Sequence, residues 1–329
     1  MDLGEILRCR YKILEVLGNN AFGSIYLAED IDRPYKPYCV VRKLKVSAET
    51  LSVAKRTFER QVQALYRLGN EDDRFPNILA MFEEIGYLYL VEEFAIGENL
   101  SNLIIPGKKW IELEIIQLLE EILEVLVVLH AKNIVHRDIK PANLIRRKDG
   151  KITILTGGMI KEVGTLAINA EKEPVPSTVI GTPGFMPSEQ AFGDPKLSSD
   201  IYAVGMLGIY ALTGIPPHEL PINPTNGEII WQEWAQVNNK TADILIKMVR
   251  YSFRERYQSA FDALEAIVRR KAELMPRSLK PSKRRILKIL SGLGTGLGLI
   301  LLGGQFFPAN SVSIQNFGLG SYCGIHDKP

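Results

Sequence analysis

Apolar and polar positions change their rhythm twice along this chain. In the first hundred residues "YKILEVL" (11–17), "SIYLAED" (24–30) and "YCVVRKLKV" (38–46) are β-rich runs punctuated by Gly, Asn and Pro, and they predict short strands. Between them and the next strand-like run, Val53, Phe58, Val62, Leu65 and Leu68 recur near helical spacing and predict one helix over 52–68. From Glu112 onward the pattern is helical. "LEIIQLLEEILEVLVVLHAKN", "SSDIYAVGMLGIYALTG", "NKTADILIKMVRYSF" and "SAFDALEAIVRRKAEL" each predict a helix. A strand-rich small lobe over 9–95 followed by a helical large lobe over 96–272 is an α+β layout.

The last stretch obeys a different rule. A basic linker over 273–288 carries Arg277, Lys280, Lys283, Arg284, Arg285 and Lys288, and Ile289–Phe307 runs 19 residues without a charge. As a helix that run spans about 28 Å, close to a bilayer's hydrocarbon core, and predicts a single transmembrane helix. Its Gly292/Gly296 and Gly294/Gly298 pairs have the spacing that lets two such helices approach, which raises the expectation of a homodimer. The tail over 308–329 holds only Lys328 among Lys and Arg, so charge bias expects a single-pass membrane protein with residues 1 to 285 in the cytoplasm.

Composition narrows the class further. At 329 residues, 46% hydrophobic and 24% charged, the chain can bury a large core. A net charge of +2 argues against a nucleic-acid partner, and four scattered His form no metal-ligand cluster. Three distant Cys fit a reducing compartment, and the N-terminus lacks the basic and apolar regions of a signal peptide.

Chemistry concentrates in "HRDIKPANL", His136 to Leu144, where Asp138, Lys140 and Asn143 have the spacing of a phosphoryl-transfer catalytic loop. "GTPGFMPSEQ" (181–190), "SSDIYAVGML" with Asp200 and Gly205, and "RERYQSA" with Arg256 follow in order. Upstream stand "LGNNAFGSIYLAED", with Gly18 and Gly23, and "YLYLVEEFAIGENL". In this order the motifs resemble the eukaryotic-like Ser/Thr protein kinases of bacteria, nearest in wording to the cyanobacterial ones. The resemblance covers about residues 9 to 270 and implies a bilobal kinase fold. It also implies an ATP site closed by the glycine loop, with the adenine held by backbone groups from Glu93 to Ala95. It makes Asp138 the catalytic base, Lys140 the residue that steadies transferred phosphate and Asn143 a magnesium ligand. Asp138, Lys140 and Asn143 also bond within the loop and to Asp200 and Thr182 in such folds, so their presence fits structure as well as catalysis. A buried Glu189–Arg256 pair is implied as a structural tie. Phosphorylation of Ser177, Thr178 or Thr182 could order the segment through Arg137.

The departures from that pattern fall in one functional group. Asn20 takes the second Gly position of the loop, and Arg42 stands where the family has the Lys that holds the α- and β-phosphates. Gln61 replaces the Glu that pairs with that Lys, so the expected ion pair loses its countercharge. Lys43 points to the opposite strand face unless a register shift brings it round, and Glu59 lies on a different helix face. Thr156 and Gly157 stand in place of the Asp-Phe of the metal-binding motif, leaving Asn143 as a weak magnesium ligand. One lost preorganised charge commonly costs about 10²- to 10³-fold in rate. Three readings compete: a membrane-anchored pseudokinase that binds a protein partner, including an active kinase; a weakly active Ser/Thr kinase using Asp138; and a scaffold without nucleotide.

Overall fold

The computed structural model describes residues 1–20, 23–44, 51–157 and 181–275. The expected linker beyond Met275, the 289–307 span, the distal tail, Ser177 and Thr178 lie outside the described residues. No helix among the described residues is long and apolar enough to cross a membrane.

Six antiparallel strands build the small lobe: β1 (Ile6–Leu7), β2 (Tyr11–Asn20), β3 (Gly23–Asp30), β4 (Tyr38–Leu44), β5 (Ile78–Glu84) and β6 (Tyr87–Glu93), in the order β1-β2-β3-β4-β6-β5. The first strand begins upstream of residue 9, because Ile6 and Leu7 pair with Lys12 and Tyr11. Gly23 has φ +146, and a Cβ there would come within 2.0 Å of the Lys43 carbonyl, so the β3–β4 contact requires glycine. Side chains alternate across this sheet. Cys39, Val41, Tyr89 and Val91 enter an outer cluster with Tyr11 and Phe82, while Leu44, Leu88 and Leu90 face the main core. Burial beside Asp30 pushes the Cys39 thiol up to about 12, which makes it a packing residue rather than a nucleophile.

Helix α1 (Leu51–Glu71) buries Phe58, Val62, Leu65 and Leu68 against that core face, as its spacing predicts, together with Ala54, while the Val53 side chain lies outside the described residues. Three short strands, β7 (Glu98–Asn99), β8 (Leu144–Arg146) and β9 (Ile152–Ile154), form a second sheet at the lobe junction. The large lobe then stacks α2 (Glu112–Ala131), α3 (Ser188–Ala191), α4 (Leu197–Thr213), α5 (Asn239–Met248) and α6 (Ala260–Leu274).

Nearly every residue of α4 is buried, so this helix is apolar on all sides and serves as the post around which the others pack. Its end is set by Gly214 at φ 70, whose N–H donates to the Tyr210 carbonyl at 2.8 Å. Asn238 caps α5 and Ser259 caps α6 through their side-chain oxygens. Arg270 reaches from α6 to Glu112 of α2 at 2.9 Å and to Thr241 of α5 at 2.7 Å, tying three helices through one guanidinium.

Candidate active-site cleft

Two polar clusters face each other across the lobe junction. The first grows out of the loop between α2 and β8. Asp138 is buried, and its Oδ1 accepts a hydrogen bond from the Thr182 hydroxyl at 2.8 Å. Lys140 Nζ donates to the same Thr182 oxygen at 2.7 Å and lies 3.4 Å from Asp138 Oδ2. Asn143 Nδ2 donates to the Asp138 carbonyl at 2.7 Å and to Oδ2 at 2.9 Å. The structure therefore brings Asp138, Lys140 and Asn143 together. The Thr182 hydroxyl on Asp138 shows that this carboxylate can accept a hydrogen bond from a hydroxyl.

That loop is anchored from below by Asp200 at the start of α4. Its carboxylate accepts from the N–H groups of His136 at 2.8 Å and Arg137 at 2.9 Å, and lies 2.9 Å from His130 Nε2. Burial alone would raise the Asp200 pKa, but bonding and charge from His130, together with His136, outweigh it and hold the group below its ordinary value. Arg137 adopts φ 70, a strained setting for a long side chain, and its carbonyl accepts from Gln190 Nε2 at 2.6 Å. His136 Nε2 donates to the Leu155 carbonyl at 2.8 Å, and the Leu155 N–H donates to the Asn143 carbonyl at 2.9 Å. The His136–Asn143 loop is thereby stitched to the strand that leads into Thr156.

The second cluster was not anticipated. Arg42 on β4 donates from Nε to Glu92 Oε1 at 2.8 Å, with Nη2 at 2.6 Å from the same oxygen. Thr156 donates its hydroxyl to Glu92 Oε2 at 2.6 Å. Glu92 is 1% exposed, Thr156 1% and Arg42 9%, so the trio is shut away from water.

The expectation that Arg42 lacks a countercharge is thus corrected. The carboxylate comes from the sheet rather than from Gln61 on α1. Arg42 lies opposite Leu90 in the β4–β6 register, which puts Glu92 on the same face one diagonal step away. The β3–β4 and β4–β6 registers are continuous through this stretch, so no shift brings Lys43 into the cleft. Lys43 instead sets its ammonium 3.7 Å from the Tyr87 ring centre on the other face. Sequence reasoning missed Glu92 because it sits inside an apolar strand just before the expected hinge. Its signal was parity, since 42, 88, 90 and 92 share one face by alternation.

Gly157 belongs to this cluster as well. A Cβ there would lie 3.1 Å from Arg42 Nη1, so the backbone at 157 packs directly against the guanidinium. A side chain at this position would need the Arg42 guanidinium to give by a few tenths of an ångström.

The remaining expected residues frame the cleft. Glu93 and Ala95 follow Glu92 as the inter-lobe link, and the Glu93 N–H donates to the Asn77 carbonyl at 2.8 Å. Gly18 pairs with Ile25 and Asn20 with Gly23 at the end of the β2–β3 ribbon. Below the cleft, Arg256 donates from Nη1 and Nη2 to the two Glu189 oxygens at 2.6 and 3.1 Å, fully enclosed, as expected of a structural tie.

Magnesium does not fit the residues at hand. Position 156 supplies a neutral hydroxyl whose proton is committed to Glu92, and Asn143 adds at most one amide oxygen. No group of three or more His, Cys, Asp or Glu among the described residues is arranged to hold a metal ion. The cation expected to hold nucleotide phosphates is already bound to a carboxylate.

A β-sheet lobe over a helical lobe, joined at a link bordered by this loop, defines a protein-kinase fold. The protein kinase domain family matches residues 11–268, and this chain belongs to it. It is 37% identical over 268 residues to the serine/threonine-protein kinase PknA of Nostoc sp., covering 80% of this chain and 48% of that protein. It is 38% identical over 268 residues to serine/threonine-protein kinase B of Synechocystis sp., covering 79% of this chain and 46% of the relative. The chain thus spans about half the length of the curated relatives it matches. The kinase domain of PknI from Mycobacterium tuberculosis shares the fold, with a TM-score of 0.60 at 17% identity over 82% of this chain and 99% of that one. The chain is therefore a serine/threonine protein kinase family member, and protein kinases in general use ATP and magnesium.

Proposed function

We propose that this chain is a pseudokinase, a kinase-shaped binding module in signalling rather than a phosphate-transfer catalyst. The observation that carries this is the Thr156–Glu92 hydrogen bond of 2.6 Å: where a metal-binding carboxylate would face the phosphates, a neutral hydroxyl turns inward. The contacts that brace the large lobe are intact, with Asp200 under the loop and Glu189 on Arg256. What such a molecule offers is shape: a large lobe that a protein partner, an active kinase among them, can dock against. The uncharged run over 289–307 and the basic residues before it support a membrane-anchored module with its lobes in the cytoplasm, and the glycine pairs support self-association.

A second reading, a slow Ser/Thr kinase with Asp138 as base, is favoured by the assembled Asp138–Thr182–Lys140 cluster. One experiment separates the two. Radiolabelled phosphate transfer from ATP to the chain itself or to a generic acceptor is expected to stay at background across a magnesium and manganese titration. Transfer abolished by Asp138→Asn would establish the slow kinase and sink the pseudokinase.

A further inference from the structure

We infer that Glu92 is a latch between the two lobes: its carboxylate takes Arg42 from the small lobe and Thr156 from the large one, and so holds the cleft at one lobe angle through the chain's own side chains. This deepens the reading of a kinase-shaped module and rests on it.

Each oxygen of the carboxylate serves a different lobe. Oε1 accepts from Nε of Arg42 at 2.8 Å and lies 2.6 Å from its Nη2, within the six-stranded sheet. Oε2 accepts from the Thr156 hydroxyl at 2.6 Å, and Thr156 follows β9 in the sheet at the lobe junction. The residue before it is held to the large lobe twice: the Leu155 N–H donates to the Asn143 carbonyl at 2.9 Å, and its carbonyl accepts from His136 Nε2 at 2.8 Å. Gly157 adds a backbone contact, since a Cβ there would lie 3.1 Å from Arg42 Nη1. A movement of either lobe therefore reaches the other through one carboxylate.

The other contacts across the junction fix an angle less tightly. Leu90 and Ile154 share one apolar cluster, which keeps the lobes together but is non-directional. At the rear, Asp73 pairs with Arg147 at 2.9 Å and with Lys151 at 3.4 Å, and Glu71 pairs with Lys132. Those two acids are 60% and 51% exposed, and pairs so open to water contribute little. The Thr156–Glu92 bond is short, charge-assisted and buried, so losing it strands a carboxylate oxygen away from water. Two-lobed kinases close around a ligand. Here residues 42, 92 and 156 make the closing contact among themselves, and a partner spanning both lobes meets the same surface with or without nucleotide.

The test is the distance between the lobes, read by pulsed electron spin resonance on the full chain. Spin labels go on Tyr35→Cys in the small lobe and Phe192→Cys in the large lobe, both exposed positions, with Cys9 and Cys323 replaced by serine and the buried Cys39 left in place. The wild-type background is expected to give one narrow distance distribution that ATP with magnesium leaves unchanged. Thr156→Val keeps the size but removes the hydroxyl, and should widen the distribution about twofold while circular dichroism stays that of the folded chain. Thr156→Ser restores the hydroxyl and should restore the width. A wild-type distribution that is already broad, or that narrows about twofold on adding ATP with magnesium, overturns the latch, as does a folded Thr156→Val chain of unchanged width. The wild-type arms need no variant, so they decide the matter even where Thr156→Val fails to fold. Phosphate transfer is a separate readout: a catalytically silent chain whose lobes move freely refutes the latch and leaves the pseudokinase standing.

Discussion

Arg42 and Glu92 stand on adjacent antiparallel strands, on the same face and one diagonal step apart, and form a buried ion pair. An ion pair so deeply placed contributes little net stability, because removing both charges from water costs about as much as their attraction returns. Breaking it is another matter, since the survivor is left charged and unpaired.

The first expectation concerns stability. Glu92→Leu should destabilise the chain by about 3–5 kcal/mol, whereas Arg42→Leu combined with Glu92→Leu should recover most of that loss. Urea unfolding of the two single variants and the double variant checks this. Equal and additive losses would show that the pair is not coupled.

The proposed loss of phosphate transfer is tested at the same pair. Thr156→Asp places a second carboxylate beside Glu92, which repels it, so the combination of Arg42→Lys, Gln61→Glu and Thr156→Asp should remain silent in phosphate transfer. Adding Glu92→Met removes the competing anion and should give transfer above background. Activity in the triple variant with Glu92 retained would show that the carboxylate does not obstruct.

The lobes and most of the cleft were legible from residue patterns for a physical reason. Alternation and helical spacing report which face is buried, and "HRDIKPANL" carries its geometry in its spacing. What spacing could not give was the partner of Arg42. That contact joins residues 42 and 92 across two strands, so it depends on register, which the sequence between them does not encode locally. The sequence already groups positions 42, 61 and 156 as one set of losses; the register adds that Arg42 pairs with Glu92, which Thr156 also contacts. The short first strand was missed because two residues are too few to show a period.

Glu189 and Arg256 offer a prediction away from the cleft. Arg256 also donates to the carbonyls of Arg250, Tyr251 and Ser198, so its removal leaves both a buried carboxylate and unpaired backbone oxygens. Arg256→Ala should cost about 3–5 kcal/mol, and Arg256→Lys, which cannot fork to both carboxylate oxygens, should cost part of that. Thermal melts at neutral pH provide the measure. A loss below about 1 kcal/mol for Arg256→Ala would mean the tie resembles an exposed pair rather than a buried one.

Acid should reveal the anchor beneath the catalytic loop. The folded Asp200 carboxyl lies below its unfolded value because His130 and the His136 N–H favour the ionised form against the cost of burial. A depressed carboxyl contributes stability that is fully present above the unfolded pKa of about 3.9 and is lost as pH falls through the lower folded value. The expected signature is therefore a difference in slope. Below pH of about 4 the wild-type chain should lose up to about 1.4 kcal/mol per pH unit more than Asp200→Asn, which has no proton to take up there. Above that range the two should run parallel, with the variant lower throughout because an amide meets the donors of His136 and Arg137 less strongly than a carboxylate. Urea midpoints from pH 7 down to about 3 test it, and parallel curves below pH 4 would remove Asp200 from the acid-sensitive groups.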